Sequence, residues 1–384
     1  LTQRLSGNAG NVQIRALELT ASPLIVGRAG RLDAAFEVQV PWSASAFPGR
    51  LEAQLELEEP LTQVSLRPLR LEIGAGTDAA EPLVDAAAEA VIELATGRAA
   101  IDSLRVGMGS LRILGSGVLS PHPEGLGADA HVRIPPLDLR AWISERTGVP
   151  LPGSALSLSR VAADFNVRLA GYALAIDNAE LALDATGASA WARLDLPRTP
   201  GALATGQVAL ALDRLDAGLY LPLPATAGFA PPGTAVEPGV RPLLPPVVDA
   251  PVVDALSLMI SATELGLGGL RLGALELEAL IGADWLDAGA SADLYGGAVE
   301  ASYSARRALA GISAAGQPHP GGEVEMSLDG LARGVDLDPM LGDLGHAVGA
   351  TAALSGIADL ECALQARAGG SNPLLQTLGG DVDL

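Results

Sequence analysis

Apolar and polar residues alternate along most of this chain. Leu32, Ala34, Phe36, Val38 and Val40 share one parity, with Asp33, Glu37 and Gln39 on the other. Leu51, Ala53, Leu55 and Leu57 repeat the pattern against Glu52, Gln54, Glu56 and Glu58. Later runs are Val161/Ala163/Phe165/Val167/Leu169, Leu256/Leu258/Ile260/Ala262 and Leu275/Leu277/Ala279/Ile281. Successive Cβ atoms of a strand point to opposite faces, so each run predicts a strand with one apolar and one polar face. Gly, Asp, Asn and Pro clusters such as Gly27–Gly30, Gly125–Gly127, Gly266–Gly269 and Gly296–Gly297 punctuate the runs. They recur roughly every 8–15 residues, the spacing of antiparallel meanders with short turns.

About 18 candidate strands follow, and a single sheet of that size would run to roughly 85 Å at ~4.8 Å per strand. Sheets beyond about ten strands curl or split, so the expected fold is mainly β. Elongated, curved antiparallel sheet or sheets are expected to form a U-shaped, groove-like body with a few short helices. Residues 137–147 predict a helix capped by Asp138 and ended before Gly148, and 338–345 another with Asp338 ahead of Pro339. A third is expected over 371–378, between Ser371 or Asn372 and Gly379. The Ala-rich stretch 79–95 is compatible with helix or strand. Eight or more prolines within residues 222–253 exclude a central strand or helix interior there. That segment reads as a loop between two β portions, 1–221 and 254–384.

Composition changes the picture in one respect. Of 384 residues 49% are hydrophobic and 18% charged, and mean hydropathy is +0.32, yet aromatics are only 3%. No run of about 18 uncharged apolar residues occurs, so no helical span is expected. The apolar surplus must line a core or a cleft that binds something apolar. Small and aliphatic residues leave room along that face, which tilts the reading from a closed sandwich toward a groove. The formal charge is −21, and all 24 cations are Arg. Such a surface repels nucleic acid and offers no polybasic patch to an anionic membrane. Cys362 is the sole cysteine, so no internal disulfide can form. The chain opens at Leu1 without Met and reads as a fragment, with any anchor expected outside it.

No catalytic constellation stands out, and the chain is not expected to be an enzyme, to hold a metal or to carry a cofactor. His122, His131, His319 and His346 are scattered, without metal-ligand spacing. His131 falls on the polar parity of Ala128/Ala130/Val132/Ile134. Asp336 and Asp338 lack the further acids and glycine of a calcium loop, and a helix cap accounts for Asp338. GLGGLRLG at 266–273 has no GKS/T and is a turn between strands. No Ser occupies a G-x-S-x-G elbow.

Three C-terminal stretches, ADLYGGAVEASYSARRA (292–308), GGEVEMSLDGLARGVDLDPMLGDL (321–344) and LSGIADLECALQARAGGSNPLLQTLGGDVDL (354–384), resemble the AsmA family in order and motif. VRIPPLDLRAWISERTG (132–148) and LALDRLDAGLYLPLP (210–224) resemble its earlier elements. The resemblance covers residues 130–384 well and 1–129 loosely. It implies a β-rich periplasmic body, tethered to the inner membrane by an anchor outside this fragment and related to bridge-like lipid transporters of the TamB kind. The implied role is phospholipid transport or homeostasis between inner and outer membranes. The partners would be phospholipid acyl chains and other envelope proteins, with no nucleic acid. The groove candidates are Phe36, Val38, Leu55, Leu57, Phe165, Val167, Leu169, Leu256, Leu258, Ile260, Leu275, Leu277 and Ile281. A scaffold for outer-membrane protein biogenesis is the alternative, its exposed strand edges pairing with clients.

Overall fold

Strands that pair with their chain neighbours make up most of the described residues, as the alternation requires. The structure, a computed structural model, describes residues 7–9, 12–23, 25–39, 46–58, 62–74, 82–147, 151, 154–198, 204–220, 253–307, 324–348, 355–368 and 379–383. The proline-rich segment up to residue 252 and the helix expected over 371–378 lie outside them. The residues cluster into two units, Leu1–Gly148 with Leu158–Ala182, and Val149–Ser157 with Leu183–Leu384.

In the first unit an antiparallel meander runs through β1 (Gly7–Ala9), β2 (Val12–Ala21), β3 (Ala29–Gln39), β4 (Phe47–Leu57) and β5 (Gln63–Ile73). It continues through β6 (Val84–Glu93), β7 (Ala99–Met108), β8 (Leu111–His122), β9 (Gly125–Leu137) and β10 (Val161–Ala170). The turn Gly171–Tyr172 leads into β11 (Ala173–Leu183). The helix α1 (Leu139–Thr147) follows β9, and Asp138 caps it by accepting from the Ala141 amide at 2.8 Å. The Ala-rich stretch resolves as a strand for a packing reason. Ala86, Ala88 and Ala90 of β6 sit between Leu71, Leu69 and Leu66 of β5 and Val106, Leu104 and Ile101 of β7. Small residues there let two bulky neighbours meet across them.

Bulges on both sides of β6 preserve the faces. On β5 the pair Leu66 and Leu69 matches Ala90 and Ala88, so Arg67–Pro68 form the extra residue. On β7, Ile101 and Leu104 match the same two alanines. A spacing of three would flip a side chain on a regular strand, and each bulge restores the parity. The displaced Arg67 and Asp102 then lie 3.7 Å apart on the polar side.

The second unit runs through β12 (Thr186–Asp195), β13 (Ala204–Asp216), β14 (Val253–Leu267), β15 (Leu270–Gly282) and β16 (Trp285–Leu294). It ends with β17 (Gly297–Arg307), β18 (Val324–Asp336), β19 (Ile357–Ala368) and β20 (Gly379–Asp383). Its pairs are antiparallel, as the short turns predict, except that β13 and β14 are parallel. Parallel neighbours need a connection of a dozen or more residues. Residues 217–252, which hold most of the proline-rich segment, supply that length between the two strands. A 3-10 turn (Ala217–Leu219) follows β13, and α2 (Leu337–Val348) follows β18. The α2 cap differs from expectation: Asp336, not Asp338, accepts the amide hydrogen bond, from Asp338 N at 3.1 Å. GLGGLRLG is the β14–β15 turn, with Gly268 and Gly269 both at positive φ.

Face parity is testable on neighbouring alanines. Ala88→Asp places a carboxylate among Leu69 and Leu104 and should cost about 3 kcal/mol or more. Ala87→Asp points to the other face between Arg70 and Arg105 and should stay within about 0.5 kcal/mol of the parent. Urea unfolding of both variants checks the contrast.

Candidate functional site

Residues directly opposite one another in a strand pair share a face, so register turns the apolar parity into rows across the sheet. In the first unit one row reads Leu19–Ala34–Leu51–Leu71–Ala86–Val106–Ile113. The next is Ala21–Leu32–Ala53–Leu69–Ala88–Leu104–Gly115–Val132–Phe165, and beyond it Gly30–Leu55–Leu66–Ala90–Ile101–Gly117–Ala130–Val167. A fourth runs Leu57–Val64–Ile92–Ala99–Leu119–Ala128–Leu169. Phe36, Val38, Leu55, Leu57, Phe165, Val167 and Leu169 therefore lie on one face of one sheet.

The second unit has its own set. Ala190–Leu210–Ile260–Leu277–Ala290–Ala301–Gly330–Cys362 is one row, and Ala192–Val208–Leu258–Ala279–Ala288–Tyr303–Leu328–Leu364 another. Gly206–Leu256–Ile281–Leu286–Ala305–Met326–Ala366 and Leu212–Ala262–Leu275 flank them. Leu256, Leu258, Ile260, Leu275, Leu277 and Ile281 are thus brought onto one face too.

Burial decides whether these faces are closed cores. Among the described residues, eleven of the fourteen buried apolar ones are alanines, the others being Val38, Leu137 and Val335. Facing sheets would bury the large side chains first. Here Leu, Ile and Phe along the rows stay half-exposed, and the alanines are hidden only because bulkier row neighbours overhang them. Each face is open. In the first unit the rows cross nine strands and several residues of depth, on the order of 1,000 Å². Ordinary monomers keep contiguous apolar patches to a few hundred Å², so this face is larger than theirs.

Sequence alternation missed part of the face. Leu66, Leu69, Ile101 and Leu104 were hidden by the bulges, whose i, i+3 spacing breaks the period of two. Ala86, Ala88 and Ala90 were hidden by composition. Phe36 packs its ring over Gly49, where a Cβ would collide with it, so the glycine makes the seat.

The opposite faces are charged. Arg31 pairs with Asp33 at 2.8 Å and Arg50 with Glu52 at 2.5 Å. His131 lies there, its Nδ1 3.2 Å from Asn166 Oδ1 and its Nε2 3.4 Å from Asp164. On the second unit, Glu276, Glu278, Glu300, Asp329 and Glu361 line a shallow acidic concavity. Among the described residues no three His, Cys, Asp or Glu side chains group as metal ligands, and no helix is long and apolar enough to cross a membrane.

Short helical elements cap one edge of each sheet. Each follows an apolar residue and an aspartate: Leu137–Asp138, Leu215–Asp216 and Val335–Asp336. Each is also tied to a strand turn by one polar bond. Trp142 Nε1 donates to the Met108 carbonyl at 2.7 Å, Tyr220 OH to Asp184 at 2.6 Å, and Tyr295 OH to Asp343 of α2 at 2.7 Å. Leu137 and Val335, the apolar residues just ahead of α1 and α2, are buried at 7% and 4% exposure. Burial raises the Tyr220 and Tyr295 hydroxyl pKa values, and the carboxylates they donate to raise them further.

No family profile, curated protein or solved structure matches the chain.

The tyrosine links predict a pH dependence with a definite sign. A tyrosine whose pKa is raised by folding holds its proton better folded than unfolded. Its contribution is whole below about pH 10, the ordinary tyrosine value, and is lost as pH rises through the raised folded values. Tyr295→Phe should cost about 1 kcal/mol at neutral pH. The Tyr220→Phe/Tyr295→Phe pair should lose stability less steeply than the parent between pH 10 and 12, in urea titrations at each pH.

Proposed function

We propose that the chain is a lipid-holding segment, in which the open aliphatic faces cradle acyl chains while the charged faces meet water. The observation that carries this reading is the half-exposed state of the large side chains along the rows, with the deeper positions occupied by alanines. Each acyl methylene left in water costs about 0.8 kcal/mol, so a chain of ~16 carbons faces roughly 10 kcal/mol or more. A continuous aliphatic surface offsets that cost without recognising a particular headgroup. The scarcity of aromatics fits a surface over which chains slide rather than lock.

The resemblance of residues 130–384 to the AsmA family supports the same reading. It adds a setting: a periplasmic body whose parent is tethered to the inner membrane and moves phospholipid between the two membranes of the envelope. The role needs no catalytic group and no cofactor.

Native mass spectrometry of the purified chain should find phospholipid bound. Val167→Asp and Ile260→Asp, each on an apolar row, should reduce lipid retained after gentle extraction at least several-fold, whereas Glu56→Lys on the charged face should not change it. Equal retention by all three variants, or a lipid-free parent chain, would sink the proposal. Crosslinks from edge strands to outer-membrane proteins in place of lipid would favour the scaffold role.

A further inference from the structure

The two rims of the first unit's sheet are built differently. At one, α1 follows the buried Leu137 and its Trp142 is tied to Met108. At the other lie the connections β2–β3, β4–β5, β6–β7, β8–β9 and β10–β11, with no helix among their described residues. Hydrogen bonds tie the first three of these connections together, and separately the last two. Gly27 N donates to Leu57 O, Leu94 N to Thr62 O, and Gly171 N to Leu126 O.

Turn tips of a protein facing water are usually polar, because nothing there can bury an aliphatic side chain. Along this rim Ile25, Leu94 and Leu126 are exposed at 51%, 50% and 48%. Ile25 and Leu94 lie beyond the strand ends that carry the outermost apolar row, Leu57–Val64–Ile92–Ala99–Leu119–Ala128–Leu169, and Leu126, opposite Pro121 in β9, lies one step beyond Ala128 on the same parity. Among the described residues the rim sets two arginines against three glutamates, a net charge of −1. Exposed Arg28 and Arg98 flank Ile25 and Leu94, and Glu58, Glu93 and Glu124 stand near them, on a chain whose net charge is −21.

We propose that this turn rim rests on a phospholipid bilayer, with Ile25, Leu94 and Leu126 inserted at the headgroup–acyl boundary and Arg28 and Arg98 against lipid phosphates. A rim within about one charge of neutral suits zwitterionic headgroups, while the acidic bulk of the chain is held off the surface. A second copy of the chain is the poorer occupant. Three half-exposed tips offer a few hundred Å² at most, short of the ~1,000 Å² that a specific protein interface needs. This deepens the lipid-holding reading, because it makes the rim the mouth through which an acyl chain passes from bilayer to apolar face. It rests on that reading for the passage, not for the contact.

The test is co-sedimentation of the full chain with phosphatidylcholine vesicles and with mixed phosphatidylcholine–phosphatidylglycerol vesicles. Ile25→Ser/Leu94→Ser/Leu126→Ser should bind both at least about tenfold more weakly. Its thermal unfolding should match the parent, since the removed groups are solvent-exposed. Arg28→Gln/Arg98→Gln should weaken binding a few-fold, and Leu156→Ser, exposed in the second unit, should leave it unchanged. Parent-like binding by the triple variant, or no binding by the parent, overturns the contact. So does a parent dimer, seen by analytical ultracentrifugation, that the triple variant abolishes. A chain that retains extracted lipid yet ignores vesicles overturns the rim assignment alone. One that binds vesicles through these tips yet holds no lipid overturns the lipid-holding reading and leaves the contact standing.

Discussion

Side-chain parity is the constraint on which everything else here depends. Each strand pairs with its neighbours so that aliphatic residues meet aliphatic residues, and a one-residue slip would turn a whole strand's leucines into the charged face. The chain keeps this parity across many consecutive pairs in each unit, even where the strand must carry an extra residue. The bulges at Arg67–Pro68 and between Ile101 and Leu104 push the surplus residues to the polar side, where Arg67 and Asp102 approach each other across β6. An exposed ion pair of that length contributes little energy. Its position shows instead that both bulges point the same way.

A single layer of strands has no second sheet to bury its large side chains, so cohesion comes from within the rows. In places bulky and small residues alternate across strands: Leu69 beside Ala88 beside Leu104, and Leu212 beside Ala262 beside Leu275. Each leucine leans over an alanine and gains contact there, while its far side stays open. Stability then accumulates hairpin by hairpin, largely from contacts between adjacent strands, as in repeat proteins. The rims are where the layer is reinforced. A buried Leu137 or Val335, an aspartate cap and one aromatic donor hold each helix back against a turn. In the second unit, strand directions place the 3-10 turn and α2 at the same edge.

The faces could be read from the sequence because a period of two is a strong signal wherever strands are regular. Every groove position chosen from alternation, from Phe36 to Ile281, has the parity of its unit's apolar face. Reading failed where parity is carried by geometry instead of spacing. Leu66 with Leu69, and Ile101 with Leu104, look out of phase until the bulge is seen. Alternation does not register Ala86–Ala90 as a strand, because alanine has no strong preference of its own and takes its state from Leu69 and Leu104 beside it. The parallel β13–β14 pair was out of reach for another reason, since direction is set by a connection whose sequence specifies only that it is neither helix nor strand. Openness was also beyond the pattern, because alternation is the same for a sheet with a partner and one without.

That last point bears on why such a layer exists. An apolar face on the order of 1,000 Å², left to water, forgoes roughly 25 kcal/mol of burial at 25 cal/mol per Å². Selection for stability alone would close it with a second sheet or shrink it with polar substitutions. The sequence does neither, and keeps Leu, Val and Ile there while using alanine to hold the floor low. A face kept in that state has a use for its exposure. It also means that an occupant binding the folded face and not the unfolded chain adds to stability by mass action, about 2.7 kcal/mol at a hundredfold excess over its dissociation constant. In the proposed role the acyl chain is therefore cargo and missing layer at once. The layer that would make the fold most stable is the one it must be able to release.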